Sequence, residues 1–238
     1  MPIQARPSSP KPARWPVPDL RPPLRAGLPD GARGLVSGAS SRTLAAGDFL
    51  FHMDSRLRAL YLVEHGALKT ACLDPEGNER VVGFHLAGDL AGLDAIHTRR
   101  HPCCASALVE SRVCCIPFAS LLGAMRRSPA LSDWLMACLS QALAEAEFRA
   151  GDHNVRERLA AFLLDLSARN LRQGRDPRQI HMPMSRRDVA SYLHMAHETV
   201  SRALRQLHEK GLIRVHGSRL YLHDPQRLRQ LAPLAPGG

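Results

Sequence analysis

The sequence predicts an α+β chain in three parts: an N-terminal β-roll, a long apolar helix and a C-terminal winged helix-turn-helix. Three observations point there. Residues 35–118 break into short apolar segments separated by turn signals. Residues 128–150 carry too much apolar surface for a free surface helix. Met184–Ile213 reads as helix, tight turn, helix, and a short hairpin follows it.

Residues 1–30 contain nine prolines among scattered arginines, a density at which no helical or strand period survives, and are expected to be a flexible tail. Residues 31–125 are assigned to the roll. Its strands are expected in ALYLVEHGALKTACL, ERVVGFHL, CCASALVE and RVCCIPF, with turns at Gly47-Asp48, His65-Gly66, Pro75-Glu76-Gly77-Asn78 and Gly88-Asp89. Residues 126–152 form the long helix. Ser128-Pro129 is a helix-start signal, Leu131, Leu135, Cys138 and Ala142 make one stripe, and Trp134, Leu139, Leu143 and Ala146 widen it. Such a helix can pack one side on the roll and the other on a second copy, or be buried within one subunit. Residues 153–228 form the last unit. It opens with a helix over His153–Leu171 that turns Leu159, Phe162, Leu163 and Leu166 inward, followed by a basic loop from Arg169 to His181. Residues 229–238 are read as a tail.

Chemistry is concentrated in the helix-turn-helix. Ser185 with Asp188 three residues later is a capping box, so the first helix starts near Arg186. The connection His194–Ala196 is short, and Gly211 stops the second helix just after Lys210. Gly217-Ser218 sits between two alternating segments as a hairpin turn, the wing. In the second helix Val200, Leu204 and Leu207 share one face, and Glu198, Ser201, Arg202 and Arg205 share another. Those polar types can read base edges: Arg bonds guanine bidentately, Glu accepts from cytosine N4, and Ser suits either. Arg186, Arg187, His197, Arg205, Arg214 and Arg219 are candidates for phosphate or supporting contacts. Double-stranded DNA is therefore the expected partner. Two copies related by a two-fold axis would read half-sites about one helical turn apart.

Bulk properties agree. The 238-residue chain has net charge +10 and a pI near 10.0, which favours a polyanionic partner. It contains no apolar run long enough to cross a bilayer and no secretory signal, so a cytoplasmic protein with no membrane role is expected. Six cysteines then read as thiols or ligands. Cys103-Cys104 and Cys114-Cys115 are candidates for a redox switch or metal site; as buried small hydrophobes they need neither role. His85, His97 and His101 do not form the His-x-His pair of a cupin-like metal enzyme, so no enzymatic activity is expected. A nonspecific nucleoid-type binder fits the charge but leaves the polar base-reading face unexplained.

GFHLAGDLAGLDAI, VCCIPF, ERLAAFLLDLS and HETVSRALRQLHEKGLI, in this order, resemble segments of the CRP/FNR family of transcription regulators, most closely its FNR branch. The resemblance implies a cyclic-nucleotide-binding-like sensor domain, a dimerisation helix, a homodimer, and activation through contact with RNA polymerase. It also implies that Glu198, Ser201 and Arg202 read TTGAT-like half-sites in an inverted repeat. The FNR branch responds to redox, oxygen or nitric-oxide-related signals. A constitutive or small-ligand-responsive regulator is the alternative.

Two departures stand against the family's best-known cofactors. Cys114 resembles the fourth ligand of an FNR-type [4Fe–4S] cluster, but no cysteine precedes Cys72, so a conventional cluster is disfavoured. A Gly-Glu turn and an Arg-Ser or Arg-Thr pair hold the phosphate in cyclic-AMP-binding members. Here Gly88-Asp89 and Cys103-Cys104-Ala105-Ser106 take those places, which disfavours a cyclic nucleotide. Heme stays open, with His85, His97 and His101 as axial candidates, and the cofactor is otherwise unknown.

Overall fold

The computed structural model describes residues 29–74 and 76–232; most of the expected N-terminal tail, Pro75 of the expected turn, and residues 233–238 lie outside them. The fold class is the predicted one. Helix α1 (Asp30–Gly38) leads into a roll of two antiparallel four-stranded sheets, ordered β1-β8-β3-β6 and β2-β7-β4-β5. The strands are β1 (Ser40–Leu44), β2 (Phe49–Phe51), β3 (Ala59–His65), β4 (Ala67–Leu73), β5 (Glu79–Leu86), β6 (Leu90–Ala91), β7 (Cys104–Ala107) and β8 (Ser111–Pro117). Leu44, Leu50, Phe51, Val63, Leu68 and Val113 meet between the sheets as one core. The β3–β4 turn shows why His65-Gly66 was a turn signal. Gly66 has φ 86°, and a Cβ there would lie 2.2 Å from the Ser111 hydroxyl, so backbone and neighbour both require glycine.

A short helix, α2 (Phe118–Met125), occupies the end of the span assigned to the roll, and α3 (Pro129–Ala150) follows where the long helix is expected. The latter starts with Pro129 in its first turn, as Ser128-Pro129 implied, though Ser128 makes no side-chain cap. Its 22 residues span about 33 Å. The expected dimer stripe divides. Leu131 and Leu135 are buried in the chain's own second core with Leu60, Ile116, Phe118 and Leu121. Cys138 is partly buried against that core, and Ala142 is exposed. Leu131 and Leu135 therefore cannot face a second copy, because α2 and the roll already cover them. Met136 and Leu143 are the large apolar residues of α3 in solvent, 64% and 60% exposed.

Helix α4 (Val155–Arg172) starts at an Asn154/Glu157 capping box. After it, Gln179–His181 forms strand β9 within the stretch read as a basic loop, so that reading is corrected: three residues sufficed to pair, and only Ile180 among them is buried. Strand β9 joins β10 (Ile213–His216) and β11 (Arg219–Leu222) in a three-stranded sheet ordered β10-β11-β9. Between them lie α5 (Arg186–Tyr192) and α6 (His197–Glu209), and α7 (Pro225–Leu231) closes the unit three residues beyond the boundary read at 228. The third core crosses from roll to helices. Phe84 of β5 stands 4.9 Å from the Tyr192 ring of α5 and 6.1 Å from Phe162 of α4, centroid to centroid. The helix-turn-helix is thus packed on the β4–β5 hairpin.

Candidate nucleic-acid interface

Helix α5 begins as its sequence requires. The Ser185 hydroxyl accepts from the Asp188 amide at 3.0 Å and the Asp188 carboxylate accepts from the Ser185 amide at 3.1 Å. The turn into α6 passes through His194 at φ 53°, and Gly211 at φ 69° ends α6. Val200, Ala203, Leu204 and Leu207 of α6 are buried, whereas His197, Glu198, Ser201, Arg202 and Arg205 are exposed. The apolar face fastens α6 to α4 and α5, and the opposite face presents one carboxylate, one hydroxyl and two guanidiniums to solvent. No side chain caps the start of α6, in contrast to α4 and α5. Its first amides and positive helix end therefore remain free to meet an anion such as a phosphate.

The wing forms at the expected turn, with Gly217 at φ 61° between β10 and β11. Arg214 and Arg219 are exposed on it, and Arg219 sits across from His216 on β10 and His181 on β9. Burial first, then Arg219 and Arg175, holds His181 below the ordinary imidazole value. Among the α5 candidates Arg187 is exposed. Arg186 is half-buried, 3.9 Å from the Met182 sulfur.

The seam between the roll and this unit holds groups that sequence reasoning missed. Arg169 of α4, buried, is clasped by Asp89 at the roll's Gly88-Asp89 turn, by Asp165 at 2.7 Å and by Glu145 of α3 at 3.4 Å. Burial alone would lower its pKa, but the three carboxylates hold it above the ordinary guanidinium value. Lys69 of β4 reaches the Asp188 carboxylate at 2.9 Å and also pairs with Glu79. The Val81 amide donates to the Ser191 hydroxyl at 2.9 Å. Asp165 is one helical turn from Arg169 and Glu79 is ten residues from Lys69, but the other partners lie 24 to 119 residues apart, beyond any local pattern.

A cavity of about 520 Å3 opens between β5, α3 and α4, lined by His85, Asp89, Asp94, Glu145 and Arg169. The donor set is poor for a cyclic phosphate: the buried Arg169 already serves three carboxylates, Arg149 and Arg172 share the lining with carboxylates, and Cys103–Ser106 brings no arginine. Of the heme candidates, His85 lines the cavity, His97 is exposed, and His101 is buried against Phe51 at 3.7 Å between centroids. Cys114 and Cys115 point to opposite sides of β8, whereas Cys103 lies in the bend before β7, which Cys104 opens. Cys103 and Cys114 are buried, while Cys104 and Cys115 are half-buried. Burial, then Asp94 at 3.0 Å, pushes the Cys103 thiol far up, and burial also raises Cys115, which opposes thiolate chemistry at both. Among the described residues no group of three or more His, Cys, Asp or Glu side chains is placed to hold a metal ion. None of the helices among those residues is long and apolar enough to cross a membrane.

Comparison with known proteins places both halves. Residues 41–128 match the cyclic nucleotide-binding domain family, and residues 157–231 match the Crp-like helix-turn-helix domain family. The chain is 36% identical over 194 residues to the fumarate nitrate reduction regulatory protein of Klebsiella oxytoca, covering 80% of this chain and 78% of that protein. It is 35% identical over the same length to the fumarate and nitrate reduction regulatory protein of Escherichia coli, with the same coverage. The structure of FixK2 from Bradyrhizobium japonicum superposes with a TM-score of 0.71 at 29% identity, covering 82% of this chain and 97% of that one. A CRP/FNR-family transcriptional regulator from Thermus thermophilus shares the fold, with a TM-score of 0.61 at 24% identity, over 82% of this chain and 98% of that one.

Proposed function

Because the chain belongs to the CRP/FNR family of transcription regulators, we propose that it is an FNR-type regulator that binds TTGAT-like inverted repeats as a cytoplasmic homodimer. Two subunits pair along the exposed apolar strip of α3, and each lays α6 into a major groove. Glu198, Ser201 and Arg202 read bases. Arg187, His197, Arg205, Arg214 and Arg219 hold phosphates and fix the register, with Arg186 in support. Surfaces of the sensor domain contact RNA polymerase to activate transcription. The observation that carries this reading is the division of α6 into a buried apolar face and an exposed Glu-Ser-Arg-Arg face beside a basic wing.

The test is selection of bound sequences from a random duplex library by purified protein. Enrichment of an inverted TTGAT-type repeat with half-sites about one helical turn apart is the expected result. Enrichment of no motif sinks the proposal.

The signal divides into two readings. A redox, oxygen or nitric-oxide-related input follows from likeness to the FNR branch, with Cys103, Cys104, Cys114 and Cys115 or a heme as its agents. Regulation without a redox cofactor, constitutive or by a small ligand, is favoured by the burial and raised pKa of Cys103 and the raised pKa of Cys115. An absorption spectrum with iron, zinc and heme analysis on anaerobically purified protein separates them.

A further inference from the structure

Three strands of the DNA-binding half bring one residue each into line. In the β10-β11-β9 sheet His216 stands opposite Arg219, and Arg219 stands opposite His181. Residues directly opposed in antiparallel strands share a face, with Cβ atoms about 5 Å apart. An imidazole, a guanidinium and an imidazole therefore form one row across the sheet, and all three are exposed. The next row on the same face is Arg214, Tyr221 and Gln179. Neither row contains a carboxylate. The opposite face turns Val215, Leu220 and Ile180 to the core.

The charged groups that act on His181 are cations, Arg219 on β11 and Arg175 in the loop before β9. The Ser218 hydroxyl at the hairpin tip lies 3.3 Å from its Nε2. His216 faces Arg219 on β11, with Arg214 two residues back on its own strand. Helix α6 meets β10 from the core side, where Ile213 is buried. Two carboxylates flank the sheet in sequence. Asp176 accepts from the Arg178 amide at 2.8 Å and the Gln179 side chain at 3.0 Å, and Asp224 caps α7 through the Arg227 amide at 2.9 Å. Residues 182–185 lead from β9 straight into α5, and the Met182 amide donates to the Ser218 carbonyl at 2.8 Å. With Arg186 at 3.9 Å from the Met182 sulfur, the row is continuous with the basic start of α5.

We propose that this row is a proton-linked contact for the DNA backbone: His181 and His216 take up protons from solvent as a phosphate settles against Arg219, so DNA affinity rises as pH falls. The phosphate sets negative charge beside two imidazoles and favours their protonated form. Arg219 alone would give a contact indifferent to pH, because a guanidinium stays charged. Binding that takes up protons is tightened by lowering pH, by linkage. The gain belongs to the imidazole range, below about pH 7, and is absent where both rings stay neutral. It rests on the reading of the chain as a DNA-binding regulator, and not on which sequence α6 reads.

The test is fluorescence anisotropy of a labelled random-sequence duplex titrated with full-length protein at one ionic strength, between about pH 8 and pH 6. Affinity should rise about tenfold or more over that span. Substituting His181→Gln and His216→Gln together should flatten the rise while leaving affinity near pH 8 within about twofold. Both side chains are exposed, so folding is not at stake. His197→Gln, at the exposed start of α6, should keep most of the rise. Exchanging chloride for inorganic phosphate at the same ionic strength should also keep it; its disappearance there would give the row to free phosphate and overturn the proposal. Affinity that ignores pH, a rise that survives in the double variant, or one that vanishes in His197→Gln overturns it as well. Selection that enriches no motif would sink the sequence-specific reading and leave these measurements standing.

Discussion

Asp89 and Arg169, eighty residues apart, join the roll to the DNA-binding half: the carboxylate at the Gly88-Asp89 turn holds a guanidinium rooted in α4. The same carboxylate accepts from the Leu86 amide at 2.9 Å, so the turn itself is braced by the residue that reaches across. Asp89→Asn removes the charge and should reduce stability by about 1–3 kcal/mol. A double-mutant cycle with Arg169→Met should give a coupling of about 1 kcal/mol or more. Hydrogen exchange should speed up in α5 and β5. Additive losses without that change would leave the pair no role in docking.

Arg202→Ala should lower affinity for the selected repeat by about 1–3 kcal/mol while affecting random duplex far less. Arg187→Ala should weaken both alike, the mark of a phosphate contact. Gel-shift titrations of both variants on both duplexes at one salt concentration check this. Equal losses for Arg202→Ala on both duplexes count against base reading.

Leu143→Glu places a charge on the exposed strip of α3 without touching the subunit core. Sedimentation should show monomers for this variant and for Met136→Glu, with an unchanged circular dichroism spectrum. Dimers in both variants would move the self-association surface elsewhere.

Burial holds His65, His85, His101, His181 and His194 below the ordinary imidazole pKa. A group depressed on folding gives stability that is present above its unfolded value, about 6.5 for imidazole. That stability is lost as pH falls through the folded value, because the unfolded chain binds the proton first. Melting temperature should therefore fall between pH 7.5 and 5.5. Glu145 is raised by burial against the pull of Arg169 and works in the opposite sense, in the carboxylate range below. His101→Leu, which also removes a buried ring nitrogen without a hydrogen-bond partner among the described residues, should flatten the fall. An unchanged slope would assign the effect to the other histidines.

Gly66→Ala sets a methyl group 2.2 Å from the Ser111 hydroxyl at φ 86° and should destabilise by about 2–3 kcal/mol. Gly47→Ala has the same handedness problem at φ 90° but open space around it, so a loss of about 1 kcal/mol is expected. Urea denaturation of the two variants separates steric from backbone strain.

What the sequence made legible was local. Ser185 and Asp188, the split faces of α6, Gly211, and the Gly217 turn each act within a few residues, and each is where the pattern placed it. Strand β5 occupies the full ERVVGFHL segment because the turns on both sides of it are explicit, although a bulge at Val82 puts its buried residues, Val81 and Phe84, three apart. Strand β9 was illegible: with Ile180 alone buried it has no period of its own, and β11 supplies the pairing. Leu131 and Leu135 looked the same as Met136 and Leu143 from composition, because which side of a helix is covered depends on what packs against it. Around Arg169 only Asp165, at i−4 on the same helix, is a local partner; Asp89 and Glu145 arrive by tertiary contact, which no pattern near Arg169 announces.

Leu131 and Leu135 are sealed by the chain's own helices and strands, so in the proposed homodimer a subunit that loses its mate would uncover a modest strip and no core. Pairing then becomes a matter of supply. For a weakly associating pair, operator occupancy rises with the square of the subunit concentration while the individual chains stay folded. The rate at which the cell makes and degrades this protein would then act as an input in its own right, with or without a chemical signal to the roll.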